Sequence, residues 1–153
     1  MRRLPPLAFG ALALATVAAF FIIQHVKVST PFITSVHPPS PALIDPLSSG
    51  HCSRTSLSFS LLHHSDNVDV YVIDQGGTIV ATLASGVFMP GLPHQTLRTF
   101  TWTGRETDGH VAPPGRYYVR VVLRRQDRTI DITNSHGDLD WVTVSRSSAC
   151  PGV

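Results

Sequence analysis

The side chains of this chain that could carry chemistry are histidines, arginines and two cysteines. Eight histidines occur in 153 residues, and His63-His64-Ser65-Asp66 is the densest group of metal-ligand types. Adjacent residues on a strand point to opposite faces, so His63 and His64 would share one ion only in a turn. No HExxH or comparable ligand spacing accompanies them. We therefore predict a solvated turn with no metal and no cofactor; a metallo-hydrolase built on these histidines is an alternative.

Nucleophilic catalysis is equally poorly supported by the sequence. Serine, histidine and aspartate are abundant, but the Gly-x-Ser-x-Gly turn that exposes a nucleophilic serine is absent. The sequence therefore predicts a protein that is not an enzyme.

Three arginines, Arg116, Arg120 and Arg124, share one face of a predicted strand, opposite Tyr117. Guanidinium groups bind phosphate and carboxylate through two parallel hydrogen bonds, so this face could hold an acidic envelope polymer or a protein partner. The alternative is an ordinary solvated strand face, whose charge Asp127 and Asp131 partly cancel.

The two cysteines flank the predicted strands, with Cys52 just before the first and Cys150 just after the last. In an oxidising compartment they could pair, and closing a loop of roughly a hundred residues would stabilise the fold by about 4–5 kcal/mol through chain entropy. Two free thiols are one alternative. A metal pair is another, although a tetrahedral zinc site usually recruits four side chains.

The amino-terminal region predicts a membrane anchor over residues 7–28. Leu7 to Ile23 contains no charged residue, and apolar character continues to Val28. A helix from Leu7 to Val28 would measure roughly 33 Å, enough for a hydrocarbon core of about 30 Å. Pro5 and Pro6 suit the first turn of that helix, where amide donors lack partners anyway.

Retention of this segment is favoured over cleavage. The small residues Val17-Ala18-Ala19 could satisfy a signal-peptidase rule, but Phe20 to Ile23 extends the apolar run past them. Arg2 and Arg3 predict that the amino terminus is cytoplasmic and that residues 29 onward are exported. Residues 1–28 are thus interpreted as a cytoplasmic stub and signal anchor in the cell membrane.

The charge distribution argues against nucleic acid as a partner. Arg2, Arg3 and Lys27 have no acidic neighbour in the first 28 residues, whereas residues 29–153 carry nine arginines and ten acidic residues. A nucleic-acid binder needs concentrated cationic charge on its folded domain.

Residues 29–50 are interpreted as a proline-rich linker, because five prolines deny the backbone its helical hydrogen bonds. Part of it, Phe32 to Val36, has strand character and could pair at a sheet edge.

From residue 51 to 153, apolar and polar residues alternate with the period of a strand. Leu57, Phe59 and Leu61 alternate with serines, and Val68, Val70 and Val72 repeat the pattern. Similar strands are predicted over 78–83, around Phe100 and Trp102, over 117–123 and near 139–144. Roughly six or seven short strands with Gly, Pro and Asp at the breaks predict an all-β, immunoglobulin-like sandwich, with Phe100, Trp102 and Tyr117 in its core.

One stretch resembles a known family. It begins with Trp102-Thr103-Gly104, continues through Gly109 and reaches Pro113-Pro114-Gly115 two residues before Tyr117. These spacings, with the strand, turn and strand of residues 70–83, resemble the FlgD-type immunoglobulin-like domain over roughly residues 55–125. Thr103 stands where that family usually carries Asp. The resemblance implies a structural or binding module rather than a catalyst.

Together these features predict a single-pass membrane protein that presents an immunoglobulin-like module outside the cytoplasm. Its expected role is structural, in assembly or in recognition at the cell envelope, with a protein or an envelope polymer as partner. The alternative is a secreted carbohydrate- or polymer-binding domain that signal cleavage releases.

Overall fold

A computed structural model describes residues 32–134 and 136–146, and this part of the chain is all-β. The described strands belong to a compact unit that begins at Phe32. The predicted anchor, residues 7–28, lies outside the described residues and stays a prediction. Within the two described ranges, no helix has the length and apolar character needed to cross a bilayer.

Nine strands and one short 3-10 helix, His51–Ser53, make up the described part of the chain. The strands are β1 (Ile33–Ser40), β2 (Leu43–Ile44), β3 (Thr55–Leu61), β4 (Asp66–Asp74), β5 (Ile79–Met89), β6 (Arg98–Trp102), β7 (Gly115–Leu123), β8 (Arg128–Asp131) and β9 (Val142–Val144). One sheet has the order β1-β3-β6, and the other has the order β2-β9-β7-β4-β5, with β8 also paired to β7. The pairs are antiparallel except for β2 and β9.

The two sheets pack face to face over an apolar core. In β3 the predicted apolar face is confirmed, because Leu57, Phe59 and Leu61 are all buried, although Ser60 on the other face is buried as well. Phe59 stacks on Phe100 of β6 with ring centroids 5.2 Å apart, and valines of β4 and β7 complete the same cluster from the other sheet. Burying branched and aromatic side chains from both sheets is what stabilises a sandwich of this kind.

The first strand is set earlier in the chain than the sequence analysis placed it. Residues 29–50 were interpreted as a linker, yet β1 pairs with β3 and β2 pairs with β9. Residues 33–40 and 43–44 therefore form strands and not a linker, and the expectation that part of this segment pairs at a sheet edge is confirmed. β1 tolerates Pro38 and Pro39 because it is an edge strand, where an absent amide donor breaks no ladder.

The strand registers define two ends of the sandwich. At the end where the chain enters, Ile33 lies opposite Leu61 and Asp66 lies opposite Met89. We call this the entry end; it comprises Phe32 and the loops at 62–65, 90–97 and 124–127. The opposite end, called the motif end, comprises the β4–β5 turn and the β6–β7 connection, residues 75–78 and 103–114.

Candidate functional site

The β6–β7 connection at the motif end is built around two buried aromatic side chains, Trp102 and Tyr117. Their rings meet edge to face, with centroids 5.1 Å apart and planes inclined by 62°. The Trp102 indole Nε1 donates to the Arg105 carbonyl at 2.7 Å, and the Tyr117 hydroxyl donates to the Pro113 carbonyl at 2.6 Å. Both polar tips therefore bind the connection to the strands beneath it, and burial raises the pKa of Tyr117.

Of the three glycines in the motif, two have the left-handed backbone conformation that favours glycine. Gly104 has φ +68°, and a Cβ there would overlap Pro46 Cγ and lie 3.1 Å from Ile44 Cδ1. Gly109 has φ +90°, with open space around it. Gly115 is not among the residues with positive φ, and a Cβ would meet nothing closer than 3.8 Å. Gly115 has no such backbone requirement, because this residue already begins the extended strand β7.

The turn between Glu106 and His110 is closed by a carboxylate. Asp108 accepts the backbone N–H of His110 at 3.0 Å and lies 2.8 Å from its ring Nδ1, and the Gly109 N–H donates to the Glu106 carbonyl. This contact holds the pKa of His110 above its usual value and that of Asp108 below it. Because Asp108 also caps the backbone here, the pair stabilises the turn as an Asx turn does.

The predicted arginine face is largely occupied by internal ion pairs. Arg120 makes two hydrogen bonds to Asp131, from Nε at 2.6 Å and from Nη2 at 3.0 Å. Its guanidinium also lies 5.7 Å from the ring centre of Tyr118. The two N–H groups with which Arg120 would bind an external carboxylate or phosphate are therefore already bonded to Asp131.

Arg124 is itself 49% exposed, but it pairs with a more deeply buried carboxylate. Its Nε and Nη2 donate to Asp69 at 2.7 and 2.6 Å, and the Gly86 N–H donates to the same carboxylate at 2.7 Å. Asp69 is only 5% exposed, and the bond from Arg124 is the main reason that its pKa is lowered. Two of the three guanidinium groups of the expected patch are therefore engaged by carboxylates within the sheet. Arg116 lies exposed on β7 and makes no ion pair within the described residues.

The fold separates the residues of the His63-His64-Ser65-Asp66 group, because the histidines are exposed and Asp66 is buried. His63 and His64 are exposed, with ring centroids 6.4 Å apart. Asp66 is buried and accepts backbone N–H groups of Arg125 at 2.8 Å and Gln126 at 3.1 Å. Its carboxylate is thus used to hold the β7–β8 turn. Across residues 32–134 and 136–146, no group of three or more His, Cys, Asp or Glu side chains could hold a metal ion.

Only one of the two cysteines of the predicted disulfide, Cys52, lies within the described residues. Cys52, in the short 3-10 helix, does not carry a free thiol. Cys150 lies outside the described residues, so the pairing of Cys52 with Cys150 stays a prediction.

Two structural features escaped the sequence reasoning, namely the Asp69–Arg124 ion pair and the buried Asp66 carboxylate. The signal that could have found them is the presence of carboxylates within the valine-rich segment that forms β4. β4 has a neighbouring strand on each side, so a carboxylate buried in it needs an ion-pair or hydrogen-bond partner. An unpaired buried carboxylate is strongly disfavoured.

Two packed sheets, a tightly hydrogen-bonded β6–β7 connection and arginines paired within the sheet define a structural module of immunoglobulin-like type. The FlgD Ig-like domain family matches residues 45–127, more than half of the chain. The chain therefore belongs to this family, which confirms the resemblance seen in the motif.

Two curated relatives share this region. The basal-body rod modification protein FlgD of Salmonella typhimurium and that of Salmonella typhi are each 33% identical to the chain over 69 residues. The match covers 45% of this chain and 28% of each relative, so the chain spans little more than a quarter of their length.

Proposed function

We propose that this chain is a membrane-anchored, extracytoplasmic immunoglobulin-like module with a structural, assembly or recognition role at the cell envelope and no catalytic activity. The observation that carries the proposal is its membership of the FlgD Ig-like domain family. The relatives are named for modification of the basal-body rod, and this supports an assembly role for the shared domain. The signature residues Trp102 and Tyr117 support a structural role, because their polar tips are bound to the chain's own carbonyls.

Anchoring is supported by the uncharged run from Leu7 to Ile23 and by its flanking charges. Arg2 and Arg3 precede the run, and such a bias keeps the amino terminus in the cytoplasm. The sandwich would then lie outside, where a disulfide at Cys52 is chemically stable.

The partner is a protein or an envelope polymer. Residues 29–153 have almost balanced charge, which disfavours nucleic acid. Arg120 and Arg124 are each paired with a carboxylate, whereas Arg116 is exposed and makes no ion pair within the described residues. A weak acidic contact on β7 would therefore involve this side chain first.

Carbonate extraction of membranes, combined with intact-mass measurement, tests the anchor. We expect the chain to stay in the membrane pellet with Leu7 to Ile23 still attached. A matched variant, Leu14→Arg with Phe21→Arg, should lose this retention, because each arginine at the centre of a spanning helix costs about 2.5–3.5 kcal/mol. A soluble chain that begins after Ala19 would overturn anchoring and support the secreted, polymer-binding alternative.

Crosslinking in intact cells tests the role itself. We expect the anchored chain to be captured with a specific envelope partner. An anchored chain that crosslinks to no partner would contradict a role in recognition or assembly.

A further inference from the structure

A cavity of about 580 Å³ lies at the side of the sandwich, where the edge strand β1 passes the connection between β8 and β9. One wall is apolar and is formed by β1 and the residue that follows its end, with the side chains Val36, Pro38, Pro39 and Ala42. Asp140, in the β8–β9 connection, lies in the opposite wall. Clefts of this size with mostly apolar walls and a few polar groups are typical of ligand sites in proteins.

Both walls of the cavity are fixed by backbone hydrogen bonds. The Asp140 N–H donates to the Ile132 carbonyl at 3.1 Å, and the Ala42 carbonyl accepts the Thr143 N–H at 2.7 Å. β1 pairs with β3, but the register of this pairing shifts twice. Such irregularities bend an edge strand, and here they leave the side of the sandwich open. The cavity is therefore present before any ligand binds.

Asp140 has a carboxylate without a partner. Across residues 32–134 and 136–146, its side chain makes no hydrogen bond and no ion pair. The residue is partly buried, and this burial raises the pKa of the Asp140 carboxyl group. Asp69 and Asp131, in contrast, are each paired with an arginine. A charge that loses water without gaining a partner costs free energy, so Asp140 offers an uncompensated negative charge to a ligand.

The chemistry of the two walls favours a cation on an apolar stem. A carboxylate accepts two parallel N–H groups from a guanidinium group. Guanidinium is more weakly hydrated than an ammonium group, so arginine loses less than lysine when it enters a partly dry site. Arginine also buries its methylene stem on apolar surface, which Val36 and Pro38 supply because both are exposed. Arginine is one of the residues that most often anchor protein interfaces.

We infer that this cavity binds an arginine side chain of a partner protein. The Asp140 carboxylate accepts hydrogen bonds from the guanidinium group, and Val36 and Pro38 contact its methylene groups. This inference rests on the proposed role in assembly or recognition, and it specifies the partner as a protein with an exposed arginine. The contact surface is then formed by β1 and the β8–β9 connection, and the domain contributes the acidic member of the ion pair.

Titration of the full chain with N-acetyl-arginine amide, in micelles of the neutral detergent dodecyl maltoside, tests the site. Binding is followed by the NMR shifts of the backbone amides of Ala42, Thr133 and Asn134, which line the cavity. N-acetyl-citrulline amide is the matched ligand, because it has nearly the same shape and no charge. Asp140→Asn is the test variant. Asp138→Asn is its control, since Asp138 is an exposed acid in the same connection and does not line the cavity.

We expect saturable shifts with the arginine amide and none with the citrulline amide. Asp140→Asn should weaken binding by about tenfold, and Asp138→Asn should leave it unchanged. Asp140→Asn removes a charge that has no partner, so it should not lower the free energy of unfolding, and a loss of binding then has no origin in a loss of fold. Equal binding of the two ligands, unchanged binding in Asp140→Asn, or tighter binding of N-acetyl-lysine amide would overturn the inference.

A photocrosslinking residue at His136, an exposed position in the same connection, separates this inference from the proposed function. In intact cells we expect it to capture a partner segment that contains arginine, with capture lost in Asp140→Asn and kept in Asp138→Asn. A specific partner that is still captured by Asp140→Asn would overturn the inference and leave the proposed role standing. A chain that crosslinks to no partner from any position would overturn the proposed role, and this inference with it.

Discussion

Replacing Gly104, Gly109 and Gly115 by alanine, one at a time, distinguishes two reasons for a glycine in the β6–β7 connection. One is lack of space for a Cβ, and the other is a backbone angle that disfavours a Cβ. Gly104→Ala meets two penalties. The left-handed backbone, φ +68°, disfavours a Cβ by about 1–2 kcal/mol. The added methyl also overlaps Pro46 and crowds Ile44, and overpacking of a filled site costs about 1–3 kcal/mol. We therefore expect the free energy of unfolding to fall by about 2–5 kcal/mol.

Gly109 and Gly115 are the matched controls. Gly109→Ala meets only the backbone penalty, about 1–2 kcal/mol, since no atom lies within 4 Å of its Cβ position. Gly115→Ala should be close to neutral, because its backbone is extended and its nearest neighbour lies 3.8 Å away.

Urea unfolding of residues 29–153 under oxidising conditions, followed by the fluorescence of Trp102 and Trp141, measures all three variants. The expected order of destabilisation is Gly104, then Gly109, then Gly115. Equal losses at Gly104 and Gly109 would refute the steric account of the contact with Pro46. A large loss at Gly115 would show that this glycine has a requirement that the backbone does not reveal.

Three further predictions concern polar contacts and the disulfide. Asp69→Asn should lower the free energy of unfolding by about 1–3 kcal/mol at neutral pH. Because the folded-state pKa of Asp69 is lowered from 3.8, the unsubstituted protein should lose this extra stability as the pH falls through the folded-state pKa. The free energies of unfolding of the two forms, measured against pH, should therefore converge in acid. Tyr117→Phe removes the bond to the Pro113 carbonyl and should cost about 0.5–1.5 kcal/mol in urea unfolding, with no loss of the fold by circular dichroism. Non-reducing peptide mapping should recover Cys52 joined to Cys150, and reduction should lower the free energy of unfolding by about 4–5 kcal/mol; an unlinked Cys150 peptide would contradict the pairing.

Several strands of the fold could be predicted from the local alternation of apolar and polar residues. β3, β4 and β7 could be predicted because apolar residues recur at every second position, facing the core. Some residues of the opposite face, Ser60, Asp69 and Tyr118, are buried as well. β2 and β8 have only two and four residues, and such short strands form because longer neighbours pair with them. β1 was interpreted as part of a linker because it contains Pro38 and Pro39. These prolines are tolerated because the strand lies at a sheet edge.

The candidate site was less predictable, because its contacts depend on register. Arg124 and Asp69 are 55 positions apart, and they meet because β7 lies antiparallel to β4 with Val68 opposite Leu123. The alternation of β7 predicted correctly which residues face the core. It could not reveal that the opposite face is crossed by carboxylates from β4 and β8.

The location of the carboxyl end tests the central claim most directly. A reporter that is active only outside the cytoplasm, fused after Val153, should be active, while a reporter that fluoresces only in the cytosol should be dark at the same position. Reversing the charge bias with Arg2→Glu and Arg3→Glu should weaken this pattern, since flanking arginines set the orientation. A fluorescent, cytosolic carboxyl end in the unsubstituted chain would contradict the account of an exported immunoglobulin-like module.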